Sequence, residues 1–384
     1  MREYLLVFLV AGAVTYLLTV VARDIAIRTG AVAKVRDRDV HAEPIPYLGG
    51  LAMLGGLVAA YFIARELPFL SSRSDPFVFR DAGIVLIAGA LICAIGTLDD
   101  LFELDALTKL GGQIAAGGFL VFQNVQYQYL PNSDGTQFSL DAAQAALLTV
   151  FIVVATVNAV NFVDGLDGLA AGVVCIGALA FFVFCYQLTR FNDQSVATTG
   201  ALLSAMLAGA CIGFLPHNVN PARLFMGDSG SMLIGLVLSA SAITLTGQFP
   251  PDQISRGAMG TQANFLVTLL PLLLPLAILV VPLADLVLAV VRRTRAGRSP
   301  FSPDKQHLHH RLLEIGHSQR RAVLIMWMWA ALIAGGMVLV SLYTGRWMWI
   351  SLGAMSALTV LMTFVLPVMH KPAVLDREAN EAAP

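Results

Sequence analysis

Four stretches of this chain hold residue types that do chemistry. They are Asp99-Asp100, the run Asn158-Ala159-Val160-Asn161-Phe162-Val163-Asp164-Gly165-Leu166-Asp167-Gly168, the run Phe225-Met226-Gly227-Asp228-Ser229-Gly230-Ser231, and a loop containing Lys305-Gln306-His307-Leu308-His309-His310-Arg311. Each falls at a break between apolar runs. Asp228 opens an apolar segment, where free backbone N–H groups and partial positive charge favour an acid, so it suits a helix N-cap as well as a metal ligand. Asp99 and Asp100 close another, where negative charge works against the helix dipole by about 0.3–1 kcal/mol. A bound cation or nearby Lys109 would offset that cost, and a solvated loop would tolerate it. Carboxylates gathered at one water–lipid boundary repel each other unless a divalent cation neutralises them, and the chemistry such a gathering implies is magnesium-dependent phosphoryl transfer.

The second stretch reads two ways. As a helix it places Asn161, Asp164 and Asp167 on one face at i, i+3 spacing; as a turn, its glycines let backbone approach a ligand closely, with Asx-turn chemistry as the plain alternative. Upstream of Asp228, Asn218 can donate to and accept from a base or sugar, and Arg223 can answer a phosphate, although either can also satisfy loop backbone. Three histidines within four residues raise zinc. No cysteine accompanies them and basic residues surround them, which suits an anionic diphosphate better, or a basic anchoring loop. The first polar loop adds Lys34, Arg36, Arg38 and His41 beside the membrane, with His41 and Lys34 as weaker substrate candidates.

The elements that must position these residues are membrane helices. Of 384 residues 57% are hydrophobic and only 13% charged, and mean hydropathy is +0.75, which excludes a soluble globular chain. A net charge of −1 and the lack of a basic aromatic patch give no sign of nucleic-acid binding. A helix needs roughly 20 apolar residues to cross the hydrocarbon core. The runs at 3–22, 47–66, 82–98, 107–122, 142–160, 168–188, 197–215, 230–247, 263–291, 322–343 and 347–369 predict an all-α polytopic protein of about eleven transmembrane helices. The first is read as an uncleaved span, since no A-x-A cleavage pattern follows it. The fourth is the weakest, short and interrupted by Lys109 and four glycines. The ninth is long and, with Pro271, Pro275 and Pro282, is expected to be kinked or broken, with Asp285 turned toward protein or a polar cavity. Residues 1–370 form one membrane domain and 371–384 a short polar tail.

Eleven spans put every motif loop on one side together with the C-terminus. That side holds 17 of the 24 lysines and arginines, which makes it cytoplasmic and the N-terminus extracytoplasmic. The four cysteines, Cys93, Cys175, Cys185 and Cys211, lie inside apolar runs and are expected to be buried free thiols.

In order along the chain, Asp99-Asp100, NFVDGLDG, PARLFMGDSGS and SPFSPDKQHLHHRL resemble the polyprenyl-phosphate N-acetylhexosamine-1-phosphate transferase superfamily, glycosyltransferase family 4, from about His41 to Gly316. The resemblance implies ten or eleven spans, a cytoplasmic site and frequent homodimers. It implies transfer of a sugar-1-phosphate from a UDP-sugar to a polyprenyl phosphate, with Mg2+ (or Mn2+) as cofactor and UMP as the product released. The His-Leu-His-His loop is similar to the WecA/TagO-like branch, which favours UDP-GlcNAc. The MraY branch, which takes UDP-MurNAc-pentapeptide, shows three consecutive histidines, and Thr-Met-Gly-Gly where this chain has Tyr47-Leu48-Gly49-Gly50. Carried over by motif, Asp228 resembles the main magnesium ligand, with Asp99 and Asp100 as the metal-proximal pair, one of them proposed to deprotonate or orient the lipid phosphate. Asn161, Asp164 and Asp167 match uridine or cavity contacts, Asn218 and Phe225 nucleotide contacts, and His307, His309 and His310 diphosphate or sugar contacts. Lys109 matches a lysine that follows the acidic pair. A transporter would also hold carboxylates in a membrane protein, but near the bilayer midplane and with inverted repeats. Here the acids cluster at span ends.

Overall fold

The computed structural model describes residues 1–32, 44–73, 77–131, 137–192, 197–247, 273, 294–295, 317–343 and 345–365. The described chain is mostly helical, with short connecting loops and one small hairpin. In order it forms α1 (Arg2–Thr29), α2 (Gly49–Glu66), α3 (Pro68–Arg73), α4 (Phe77–Phe102), α5 (Ala106–Phe122), the antiparallel strands β1 (Tyr129–Pro131) and β2 (Gln137–Ser139), then α6 (Ala142–Val163), α7 (Leu169–Asn192), α8 (Thr198–Asn218), α9 (Gly227–Ala242), α10 (Gln319–Leu342) and α11 (Arg346–Val360). Short π-helical segments at Ile243–Gly247 and Leu361–Val365 continue α9 and α11.

Seven of the described helices, α1, α4, α6, α7, α8, α9 with its extension, and α10, are long and apolar enough to cross a membrane. The chain is therefore a multi-pass membrane protein. Helices stand at each predicted span except 263–291, which apart from residue 273 lies outside the described residues, as do Asp285 and the tail at 371–384. The weak fourth span is the helix α5, packed against α4 and α6. Helix α3 and the hairpin are additions that hydropathy does not signal. All four cysteines are free and buried.

The outer helices turn apolar side chains outward, as Leu5, Leu9, Leu17 and Val20 of α1 and Leu147 and Phe151 of α6 do. This is the arrangement expected where lipid is the solvent. Helix α9 lies at the centre, against α4, α6, α2 and α8. It is buried from Ser229 through Ala242, and its small residues (Ser229, Gly230, Ser231, Gly235, Ser239, Ala240) let neighbouring backbones come close. Two of its buried hydroxyls are satisfied within the helix, Ser239 Oγ donating to the Leu236 carbonyl at 2.9 Å and Ser241 Oγ to that of Val237 at 2.7 Å.

Local signals set the helix ends near the motifs. Asp105 caps α5 by accepting the Thr108 N–H at 2.8 Å, and Asp141 with Gln144 forms a capping box on α6. At the start of α2 the chain is held by α9's leading loop. Phe225 N–H donates to the Pro46 carbonyl at 2.9 Å, while Gly49 and Gly50 N–H donate to the Phe225 and Met226 carbonyls, each at 3.1 Å. These bonds hold Leu48 at φ 80°, a left-handed conformation that a leucine seldom adopts unaided. Gly50 has no room for a side chain, since a Cβ would lie 2.7 Å from the Gly230 Cα.

Candidate active site

Four helix ends meet at one end of the bundle, and each delivers polar side chains. Helix α4 continues through the acid pair, so Asp99 sits in its last turn rather than in the following loop. Asp99 is only 8% exposed, and its Oδ1 accepts the Leu104 N–H at 2.7 Å. Helix α5 brings Lys109, whose Nζ lies 2.5 Å from Asp99 Oδ2 and 3.0 Å from Asp228 Oδ2. Helix α6 brings Asn161, whose Nδ2 donates to Asp228 Oδ1 and to Ser231 Oγ, both at 2.9 Å. Asp228, in the first turn of α9, is therefore gripped on both oxygens, by an ammonium on one and an amide on the other. Asp100 turns away from Lys109, its Oδ1 accepting the Asp228 backbone N–H at 2.8 Å and its Oδ2 the Ser229 N–H at 3.2 Å.

Of the two readings of the second motif, the structure adopts the turn. Helix α6 ends at Val163, Asp164 is its C-cap, and Gly168 takes a left-handed φ of 77°. Asn161, Asp164 and Asp167 consequently diverge instead of sharing one helix face. Asp164 stays beside the acids; burial raises its carboxyl well above the ordinary carboxylate range, and the charges of Asp228, Asp100 and Asp167 push it further. Asp167 points into the neighbouring loop, where its Oδ2 accepts Asn220 Nδ2 at 2.9 Å and the Ala222 N–H at 3.1 Å. Asn218 is 1% exposed and ties two loops together, its Oδ1 accepting the Gly168 N–H and its Nδ2 donating to the Leu224 carbonyl, each at 3.0 Å. In this geometry both ends of its amide meet backbone.

Phe225 is half-buried with its ring centroid 6.1 Å from that of Tyr47, and Arg223 is exposed, its carbonyl accepting Arg23 Nε at 3.3 Å. His41, His307, His309, His310, Lys34, Arg36 and Arg38 lie outside the described residues. The structure thus brings together Asp99, Asp100, Lys109, Asn161 and Asp228, with Asp164 adjoining, and sets Asp167, Asn218, Arg223 and Phe225 in the flanking loops.

Three participants are additional to the sequence reading. Ser231 shares Asn161 with Asp228, three residues before it on the same helix face. One turn deeper, Asn158 Nδ2 donates to Gln113 Oε1 at 2.5 Å and Gln113 Nε2 to Met232 Sδ at 3.5 Å. Their signal was available: Gln113 is four residues past Lys109 and Asn158 three before Asn161, both polar within apolar spans.

Among the described residues no group of three His, Cys, Asp or Glu side chains forms a metal cage. Magnesium does not need one, because it retains several waters and takes one or two carboxylates together with substrate phosphates. The donor set here matches that habit: two carboxylates, Asp99 and Asp228, face each other across a single positive group, the Lys109 ammonium.

Fold and site together define a polytopic membrane protein with a carboxylate–lysine–amide centre at one end of its helix bundle. Residues 82–246, which contain that centre, match the family model for glycosyl transferase family 4. Over 340 residues the chain is 51% identical to the decaprenyl-phosphate N-acetylglucosaminephosphotransferase of Mycobacterium tuberculosis (strain CDC 1551 / Oshkosh), covering 88% of this chain and 82% of that one. It is 28% identical to a probable undecaprenyl-phosphate N-acetylglucosaminyl 1-phosphate transferase of Bacillus subtilis (strain 168), covering 96% and 92%. With the undecaprenyl-phosphate alpha-N-acetylglucosaminyl 1-phosphate transferase of Escherichia coli (strain K12) it shares 29% identity, covering 82% and 77%. The chain belongs to glycosyl transferase family 4.

Proposed function

We propose that this protein transfers GlcNAc-1-phosphate from UDP-GlcNAc to a polyprenyl phosphate, giving a polyprenyl-diphosphate-linked GlcNAc and UMP. An oxygen of the lipid phosphate attacks the sugar-bearing β-phosphorus. The bond from that phosphorus to the bridging oxygen breaks, and the oxygen leaves with UMP. The observation that carries this reading is the convergence of Asp99, Lys109, Asn161 and Asp228 from four helices at one end of a membrane bundle, in a chain half identical to a polyprenyl-phosphate GlcNAc transferase.

Asp228 and Asp99 are the residues that would hold Mg2+, with Mn2+ as its substitute; when bound, the ion offsets the charge of the diphosphate oxygens. Lys109 keeps the two carboxylates together and offers its ammonium to the entering phosphates. Asn161 fixes the rotamer of Asp228 by holding one oxygen, and Ser231 fixes Asn161. Asp167 and Asn218 shape the adjoining loops, Asp167 through the Asn220 amide and the Ala222 N–H and Asn218 through backbone. The side bearing the site is assigned to the cytoplasm on the excess of lysine and arginine there, so the soluble nucleotide enters from water and the lipid phosphate from the bilayer.

The test is product analysis on membranes containing the protein, given UDP-GlcNAc, polyprenyl phosphate and Mg2+. UMP release that stops with EDTA and returns with Mg2+ is expected. Asp228→Asn should abolish turnover, by roughly 10²–10³-fold or more, while the protein still inserts and folds. Release of UDP would indicate an ordinary glycosyltransferase, and no release at all would return the chain to the transporter reading.

A further inference from the structure

Asp100 follows Asp99 directly, yet its surroundings differ. Both its oxygens point at the start of α9 and accept the backbone N–H groups of Asp228 and Ser229 at 2.8 and 3.2 Å. Those N–H groups belong to the first turn, where no intrahelical acceptor exists, and Met226, the residue at the N-cap position, makes no side-chain cap. A side chain 128 residues away does what a local Ser or Asp ordinarily does.

This approach depends on two glycines. Gly227 has φ 68°, and a Cβ there would lie 2.7 Å from the Asp100 carboxyl carbon and closer still to Oδ2. Gly96, one turn before Asp100 on α4, would place a Cβ 2.5 Å from the Ser229 nitrogen. Helices α4 and α9 therefore meet backbone to backbone, with the Asp100 carboxylate as the pin between them. The Asp228 side chain, carried on the same turn, points the other way, toward Lys109 and Asn161.

We propose that Asp100, together with Gly227, is a positioning element that locks the first turn of α9 and so aims Asp228, and that the metal and the acceptor phosphate are left to Asp99 and Asp228. Only the turnover arm of its test rests on the transferase reading above.

That test compares wild type, Asp100→Asn, Gly227→Ala and the double variant as full chains in detergent. Backbone hydrogen exchange is read over residues 226–232, alongside UMP-release kinetics. Asp100→Asn retains one acceptor oxygen but turns an amide donor toward a backbone donor; Gly227→Ala leaves every functional group in place and displaces the pin. Both single variants should exchange faster at Asp228 and Ser229 and lose about 10- to 100-fold in kcat, with KM for UDP-GlcNAc unchanged. The double variant should be no worse than the poorer single one. If Asp100→Asn exchanges like wild type while losing as much turnover as Asp228→Asn, Asp100 acts directly and the proposal is wrong. Additive losses in the double variant would also overturn it. Should Asp100→Asn not fold, Gly227→Ala alone decides through its exchange at Asp228 and Ser229. A wild type that exchanges as expected but releases no UMP would refute the transferase reading and leave the pin standing.

Discussion

The two ends of the bundle use the same device for different purposes. At the end remote from the site, the Glu3 carboxylate of α1 accepts the backbone N–H groups of Phe69 and Leu70, both at 2.8 Å, at the start of the six-residue helix α3. At the site end, Asp100 of α4 does the same for α9. In each case a carboxylate from a distant helix satisfies two donors that a helix start leaves open. What differs is the company. Around Asp100 stand Asp99, Asp164 and Asp228, with a single lysine between two of them, whereas Glu3 serves a short peripheral helix. A capped helix start is thus ordinary architecture. It becomes a site when the turn it fixes also carries a carboxylate that other helices grip from the opposite side.

The comparison can be broken or sharpened by experiment. Of the three variants that bear on this comparison, Lys109→Ala should have the largest effect, since it leaves Asp99 and Asp228 facing each other without the ammonium between them. Turnover should fall about 100-fold, and Mg2+ should raise the thermal midpoint of the variant more than that of wild type, since a dication replaces the missing ammonium. Equal Mg2+ stabilisation of both proteins would detach Lys109 from the metal position.

A smaller effect is expected from Asp164→Asn and should appear in the pH profile. The Asp164 carboxyl is raised in the folded protein, first by burial and then by the neighbouring acids. Its contribution to stability is complete below the ordinary carboxylate pKa of about 3.9 and is lost as pH climbs through the raised native value. Asparagine cannot ionise, so the thermal midpoint of the variant should fall less than that of wild type between acid and alkaline pH. Superimposable profiles would show that Asp164 is not crowded by the other acids.

The smallest effect belongs to Glu3→Gln. Loss of this cap should cost about 1 kcal/mol, visible as a lower thermal midpoint, with kcat unchanged. Impaired turnover in Glu3→Gln would erase the distinction between the two ends.

Much of the site was legible along the chain, because membrane helices announce themselves by composition and acids at their ends stand out against it. The spans carrying Asp99, Lys109, Asn161 and Asp228 fall where hydropathy puts them. Asp167 and Asn218 were harder to read. Their types suit a ligand and a loop equally, and only the fold brings their loop partners Asn220, Gly168 and Leu224 within reach. Asp99 and Asp100 are adjacent acids in one helical turn, and nothing in their order says that one meets a lysine and the other a backbone.

Composition and period by themselves determined that this is a bundle of membrane helices with its acids at helix ends, because burying an apolar residue in lipid is a local property of each segment. Which acid takes which partner was decided only in three dimensions. Lys109 reaches a carboxylate 119 positions away because α5 and α9 are brought to one end of the bundle, and Asp100 reaches α9 because Gly227 leaves space for it. Hydrogen bonds and ion pairs act over a few ångströms, so their assignment follows the packing of helices and not the spacing of residues along the chain.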